Sequence, residues 1–157
     1  LKEPTEEFIS LVKTYPNAVI HVINGILSAS DVTMLADNNL KMLILGYKQL
    51  RRGEDWYDKE YKNIIIKQNW LKKNLEKMLN HFEVISFDNL AITQLDVKRL
   101  MSEEDWEEFY MGDDGNYTFY IDMVDGTFGK NSLATERYPI MDDIDLMFQK
   151  ILNKSKE

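Results

Sequence analysis

Three short, β-rich apolar runs alternate with helical patterns: Ala18 to Ile23 (AVIHVI), Lys41 to Tyr47 (KMLILGY) and His81 to Phe87 (HFEVISF). Between the first two, Ser28 with Asp31 three residues on has the form of a capping box, Asp standing for Glu, ahead of Val32, Met34 and Leu35. Asn38-Asn39 breaks that helix. After Gly53, the residues Ile64, Ile65, Trp70, Leu71, Leu75, Met78 and Leu79 recur near 3.6 spacing and predict a long helix. Strand, helix, strand, helix, strand, with strands apolar on both faces, specifies a parallel sheet with right-handed helical crossovers. A shorter helix precedes it, opened by Pro4-Thr5, carrying Phe8, Ile9, Leu11 and Val12, and ended by Tyr15-Pro16-Asn17.

The last third changes character. Ser102 with Asp105 caps a helix through Trp106, Phe109 and Tyr110, stopped by Gly112. "NYTFYIDMV" alternates, Asp125-Gly126 is a hairpin turn, and "TFGKNSL" returns. Asp142 or Asp143 caps a final amphipathic helix with Ile144, Met147, Phe148 and Ile151. The aromatic residues Trp106, Phe109, Tyr110, Tyr117, Phe119 and Tyr120 read mostly as core. The fold class is therefore α/β, with residues 1–100 forming the parallel part and 101–157 a helix, hairpin and helix packed on it as a single compact unit. Three parallel strands are few, which points to a partner or to further chain at the sheet edge.

The composition of the 157 residues, 44% hydrophobic and 29% charged, is that of a soluble globular domain. No run is long enough for a membrane helix, and no secretory leader is visible. The start at Leu1 suggests a cut chain. There is no cysteine, which excludes disulfides, thiolate nucleophiles and Cys-ligated metal within this chain, and fits a cytoplasmic location. A net charge of −8 argues against general nucleic-acid binding.

Ligands of α/β sheets sit at the carboxyl ends of the parallel strands. The first end offers His21 and Asn24-Gly25, the second Gly46, Tyr47, Lys48 and then Arg51-Arg52-Gly53, the third Ser86, Asp88 and Asn89. His21 reads either as a core histidine bonded to main chain or as a ligand contact. Asn24-Gly25 is a turn or a contact. Gly46 marks a bulge or a close backbone approach by a ligand. Lys48, Arg51 and Arg52 are a solvated loop or a grip on a carboxylate or phosphate. Asp88-Asn89 caps the next turn or binds a ligand. Asp113-Asp114-Gly115 reads as a turn, because the later ligands of a calcium loop do not follow. No catalytic residue and no metal ligand is assigned.

The ordered segments "HVINGI", "LKMLILGYKQLRRG", "FEVISFDNLAITQLDV", "EEDWEEFYMGDDGNYTFYIDMVDGTFGKNS" and "ERYPIMDDI" resemble the C-terminal half of a group of radical SAM proteins of bacteria and their phages. The resemblance covers nearly all the chain. It implies half of a partial β/α barrel, whose other half carries a CxxxCxxC motif. That motif holds a [4Fe-4S] cluster, which binds S-adenosylmethionine and reduces it to a radical. By position it implies cofactor contacts at His21, Asn24, Ile44, Gly46, Ile85 and Phe87. Lys48, Arg52, Asp88 and Asn89 become substrate candidates. The departure is the absence of cysteine: this chain holds no cluster and is inactive alone.

Two readings of function follow. In the first, the chain is the C-terminal portion of a radical SAM protein, supplying S-adenosylmethionine and substrate contacts to a small-molecule or peptide substrate. Its partner is the missing N-terminal half, or a dimer mate at the exposed sheet edge, with no nucleic acid and no membrane. In the second, it is a free-standing interaction or regulatory module without catalysis. An ordinary cofactor-free enzyme using His21, Asp88 and Lys48 would need those side chains within hydrogen-bond reach.

Overall fold

A computed structural model of the chain describes residues 3–154. Its contacts cluster into two units, Leu1–Glu103 and Glu104–Glu157. Charge is divided unevenly between them. The first holds 14 Lys/Arg against 14 Asp/Glu and the second 5 against 13, so the whole net charge of −8 lies in the second.

In the first unit, α1 (Glu6–Lys13) starts where Thr5 Oγ1 accepts from the Phe8 amide at 3.1 Å. The strands β1 (Val19–Ile23), β2 (Lys41–Leu45) and β3 (Val84–Phe87) are all parallel, in the order β1-β2-β3. His21 is in register with Leu43, and Leu43 with Ser86. The helix α2 (Ala29–Leu35) joins the first pair, and its Ser28–Asp31 capping box is formed in both directions. The helix α3 (Arg52–Met78) joins the second pair. It buries Ile64, Leu71, Leu75 and Met78, a stripe at the expected spacing. Its first three turns bury nothing, and Ile65 and Leu79, read as part of the stripe, are exposed. Asp88 caps α4 (Asn89–Leu95), accepting from the Ala91 amide at 2.7 Å.

The strands are not covered on both faces. Ile20, Val22, Met42 and Ile44 are buried with Leu27 of the β1–α2 connection and with Val32, Leu35, Leu71, Leu75, Ala91 and Leu95 from the helices, and Ile85 and Phe87 pack on the same cluster. The alternate residues Val19, His21, Ile23, Val84 and Ser86 are exposed, and Leu43 and Leu45 half-buried. The physical reason is the strand order. Right-handed crossovers between strands that run in sequence place every connecting helix on one face.

In the second unit, α5 (Glu103–Phe109) leads to an antiparallel sheet of β4 (Tyr120–Asp122), β5 (Thr127–Gly129) and β6 (Tyr138–Pro139). The hairpin turn falls where Asp125-Gly126 placed it, with Asp122 Oδ1 accepting from the Val124 and Asp125 amides. The third strand, β6, has no counterpart in the sequence reading. Asp143, rather than Asp142, caps α6 (Ile144–Lys154), accepting from the amides of Asp145 and Leu146. Phe128, Met147 and Ile151 make the core with Phe119, Ile121 and Tyr138. Phe109 and Tyr117, expected in a core, are largely exposed.

Tyr110 stacks on Trp106 at 4.4 Å and donates its hydroxyl proton to Asp113 Oδ1 at 2.6 Å. That bond, helped by burial and by the charges of Asp113 and Asp114, pushes its pKa up to about 12. The neutral phenol is the hydrogen-bonded form, so its stabilisation is present below the ordinary tyrosine value near pH 10 and lost as pH rises through about 12. A ¹³Cζ NMR titration is expected to show Tyr110 ionising with a midpoint near 12. In Asp113→Asn its midpoint moves back toward 10; an unmoved midpoint would remove Asp113 as the cause.

Candidate functional site

The carboxyl ends of β1 and β2 converge on the segment 46–53, and a small polar network holds it there. Asn24, just past β1, is buried, and its amide N–H donates to Leu45 O at 2.8 Å. Its Nδ2 donates to Gln94 Oε1 at 2.9 Å. The same Gln94 oxygen accepts from the Tyr47 amide at 2.9 Å, and Gln94 Nε2 donates to Tyr47 O at 2.9 Å. One side chain of α4 thus satisfies both main-chain groups of Tyr47 and ties the β1 end to the β2 end. Asn24 Oδ1 is left buried without a hydrogen-bond partner among the described residues.

Asp88 makes the second tie. Its Oδ1 accepts from the Gly46 amide at 2.8 Å as well as from Ala91. Its own amide donates to Ile44 O at 3.1 Å. Gly46 is so close to α4 that a Cβ there would lie 2.4 Å from Leu90 Cγ and 2.8 Å from the Ala91 nitrogen. The close approach inferred from this glycine is real, but it is made by α4.

Beyond Tyr47 the chain folds back on the start of α3. The buried Tyr47 hydroxyl donates to Gly53 O at 2.7 Å, and its ring meets that of Tyr57 at 6.0 Å. Burial, with the neighbouring Tyr57, raises the pKa of Tyr47. A Cβ on Gly53 would lie 2.0 Å from Lys48 O, so only glycine closes this turn. Arg51, at φ 54° and ψ −121°, holds a conformation costing a non-glycine residue about 1–3 kcal/mol. Such strain is characteristic of segments shaped around ligands.

This segment walls a crevice of about 410 Å³, lined by Ile23, Ile26, Leu45, Gly46, Tyr47, Lys48, Leu50, Arg52, Gly53, Trp56 and Asp88. Four of the residues expected at a site meet here: Gly46, Lys48, Arg52 and Asp88. His21 lies on the open face of β1, and Asn24 behind the crevice in the Gln94 network. Ile44, Ile85 and Phe87 direct their side chains to the helices; Ile44 is fully buried. Strand position suggested them, but side-chain parity turns them away from the open face. Asn89 starts α4 outside the crevice lining. His21 lies on β1 and Asp88 just past β3, with β2 between those strands, and Asp88 Oδ1 is held by the Gly46 and Ala91 amides.

Trp56 and Gln94 were not singled out in the sequence. Trp56 lies one turn after Arg52 on α3. Gln94 lies three residues after Ala91 and next to Leu95, a polar side chain beside an apolar stripe, and that placement is the signal for it.

A larger hollow, about 680 Å³, opens at the amino ends of the strands. Its polar groups engage each other: Lys13 with Asn38, Lys41 with Pro16 O and His81 with Asp37. Among the described residues no group of His, Cys, Asp and Glu could hold a metal ion, and no helix is long and apolar enough to cross a membrane. Set against protein-family models, curated proteins and solved structures, the chain matches none.

Proposed function

We propose that the parallel sheet is half of a partial β/α barrel and that this chain is the C-terminal portion of a radical SAM protein, inactive by itself. The observation that carries this reading is the sheet with one covered face. Strands in sequential order, helices on one side only, and an opposite face bearing Val19, Ile23, Leu43, Leu45 and Val84 suit a barrel segment, whose inner face and outer edges meet further strands. A doubly wound sheet would instead reverse its strand order and be covered on both sides.

The two expected cofactors fare differently. The iron–sulfur cluster does not fit this chain, which has no cysteine to ligate it, and no step is derived through it. S-adenosylmethionine fits the donor set at the strand ends. The buried, unpartnered Asn24 Oδ1 suits an N–H donor of the cofactor, while Lys48, Arg52 and Asp88 line the adjoining crevice as substrate contacts. When bound with a reduced cluster, it supplies a carbon radical. This chain's share is to orient it: the Gln94 and Asp88 ties fix the β1 and β2 ends, and Ile23, Ile26, Leu45 and Leu50 exclude water. His21 and Ser86 present polar groups on the open face. Ile44, Ile85 and Phe87 contribute only main chain.

The open apolar face also favours a second reading, a non-catalytic module whose sheet pairs with a partner or a second copy. One measurement separates the two. The protein is captured from its source cells with an antibody to this chain, and its denatured mass, iron content and reductive cleavage of S-adenosylmethionine are determined. A species well above 18.5 kDa that contains iron and cleaves the cofactor is expected. An iron-free species at 18.5 kDa would overturn the radical SAM reading in favour of the module.

A further inference from the structure

We infer that the crevice at the ends of β1 and β2 binds an organic anion, an apolar or aromatic body carrying a carboxylate or phosphate that Arg52 and Lys48 hold. This deepens the reading above by naming the substrate class, and rests on it for the crevice being a substrate site. The walls are apolar: Ile23, Ile26, Leu45 and Leu50, with the Trp56 indole as a flat face. The volume, about 410 Å³, is in the range of small-molecule pockets. Two of the charged lining residues, Lys48 and Arg52, are cationic; the third, Asp88, has Oδ1 occupied by the Gly46 and Ala91 amides. The Arg52 guanidinium offers a planar fork that matches a carboxylate or phosphate with two parallel bonds.

The placement of the cations is built, not incidental. Tyr47 is clamped through both main-chain groups by Gln94, and its hydroxyl closes on Gly53 O. Gly53 allows the turn, and strained Arg51 carries the chain into α3 so that Arg52 meets the crevice. Backbone strain and a required glycine within six residues are more than a solvated loop needs.

The test uses the whole chain and three probes of similar size: 3-phenylpropanoate, phenyl phosphate and the neutral 3-phenylpropanamide. Affinity is measured by calorimetry and by tryptophan fluorescence. At least one anion is expected to bind about tenfold more tightly than the amide, the scale of a charge-assisted hydrogen bond, and the tighter anion names the headgroup. The double variant Lys48→Ala/Arg52→Ala is expected to lose that preference with an unchanged melting temperature. Lys62→Ala, an exposed cation of α3 outside the crevice lining, is expected to keep it. Trp56→Phe should abolish the fluorescence change and weaken anion and amide alike, leaving the preference for the anion.

Equal affinity for amide and anions, or an equal loss in Lys62→Ala, would overturn the inference. That result would leave the mass and iron measurement standing. Conversely, anion preference in an iron-free 18.5 kDa protein would retain the binding site and remove only its radical chemistry.

Discussion

Asp88→Ala is expected to destabilise the parallel-sheet unit by about 2–4 kcal/mol. One oxygen, Oδ1, satisfies two amides, that of Ala91 in the first turn of α4 and that of buried Gly46 at the end of β2. Loss of the cap alone is worth about 0.5–2 kcal/mol, and leaving a buried amide unpaired about 1–3. Asp88→Asn keeps an acceptor at the same place and is expected to lose less than about 1 kcal/mol. Urea unfolding checks this, with Trp106 replaced by Phe so that fluorescence reports only Trp56 and Trp70 of the first unit. Equal, small losses in both variants would show that the carboxylate does not join β2 to α4. It would then be available to a ligand.

Gly46→Ala is the second large effect, at about 1–3 kcal/mol, the usual range for forcing an extra methyl into a packed region. The added Cβ would meet Leu90 Cβ at 2.6 Å and the Ala91 nitrogen at 2.8 Å. The second contact is main chain, so α4 itself must shift. Leu90→Ala removes Cγ and its two methyls but leaves Cβ and the Ala91 nitrogen, and should restore little when combined with it. A fall in melting temperature without any ligand is the outcome that distinguishes this cause. If Gly46 existed to admit a ligand, its substitution would leave the melting temperature unchanged and weaken binding alone.

The sequence was most legible where local chemistry decides. The apolar runs gave the three parallel strands, and Ser28–Asp31 gave a capping box that forms in both directions. It was least legible where the answer depends on what lies across space. Val19 and Ile23 are as apolar as Ile20 and Val22, so the open face could not be told from the covered one, and Ile44, Ile85 and Phe87 were placed toward a cofactor by position alone. Strand β6 is two residues long and ends in proline, too short to alternate. Of the site, the charges Lys48, Arg52 and Asp88 were visible as polar punctuation after buried strands. The Trp56 wall and the Gln94 clamp come from helices whose approach to the strand ends no local pattern records.

The division of charge between the two units has a colloidal consequence. With equal numbers of acidic and basic groups, the first unit alone would be near its isoelectric point at neutral pH. An apolar sheet face on a body of zero net charge has little mutual repulsion to keep copies apart. The second unit acts as a covalently attached polyanion. Its excess negative charge gives the whole chain the mutual repulsion at neutral pH that the first unit lacks.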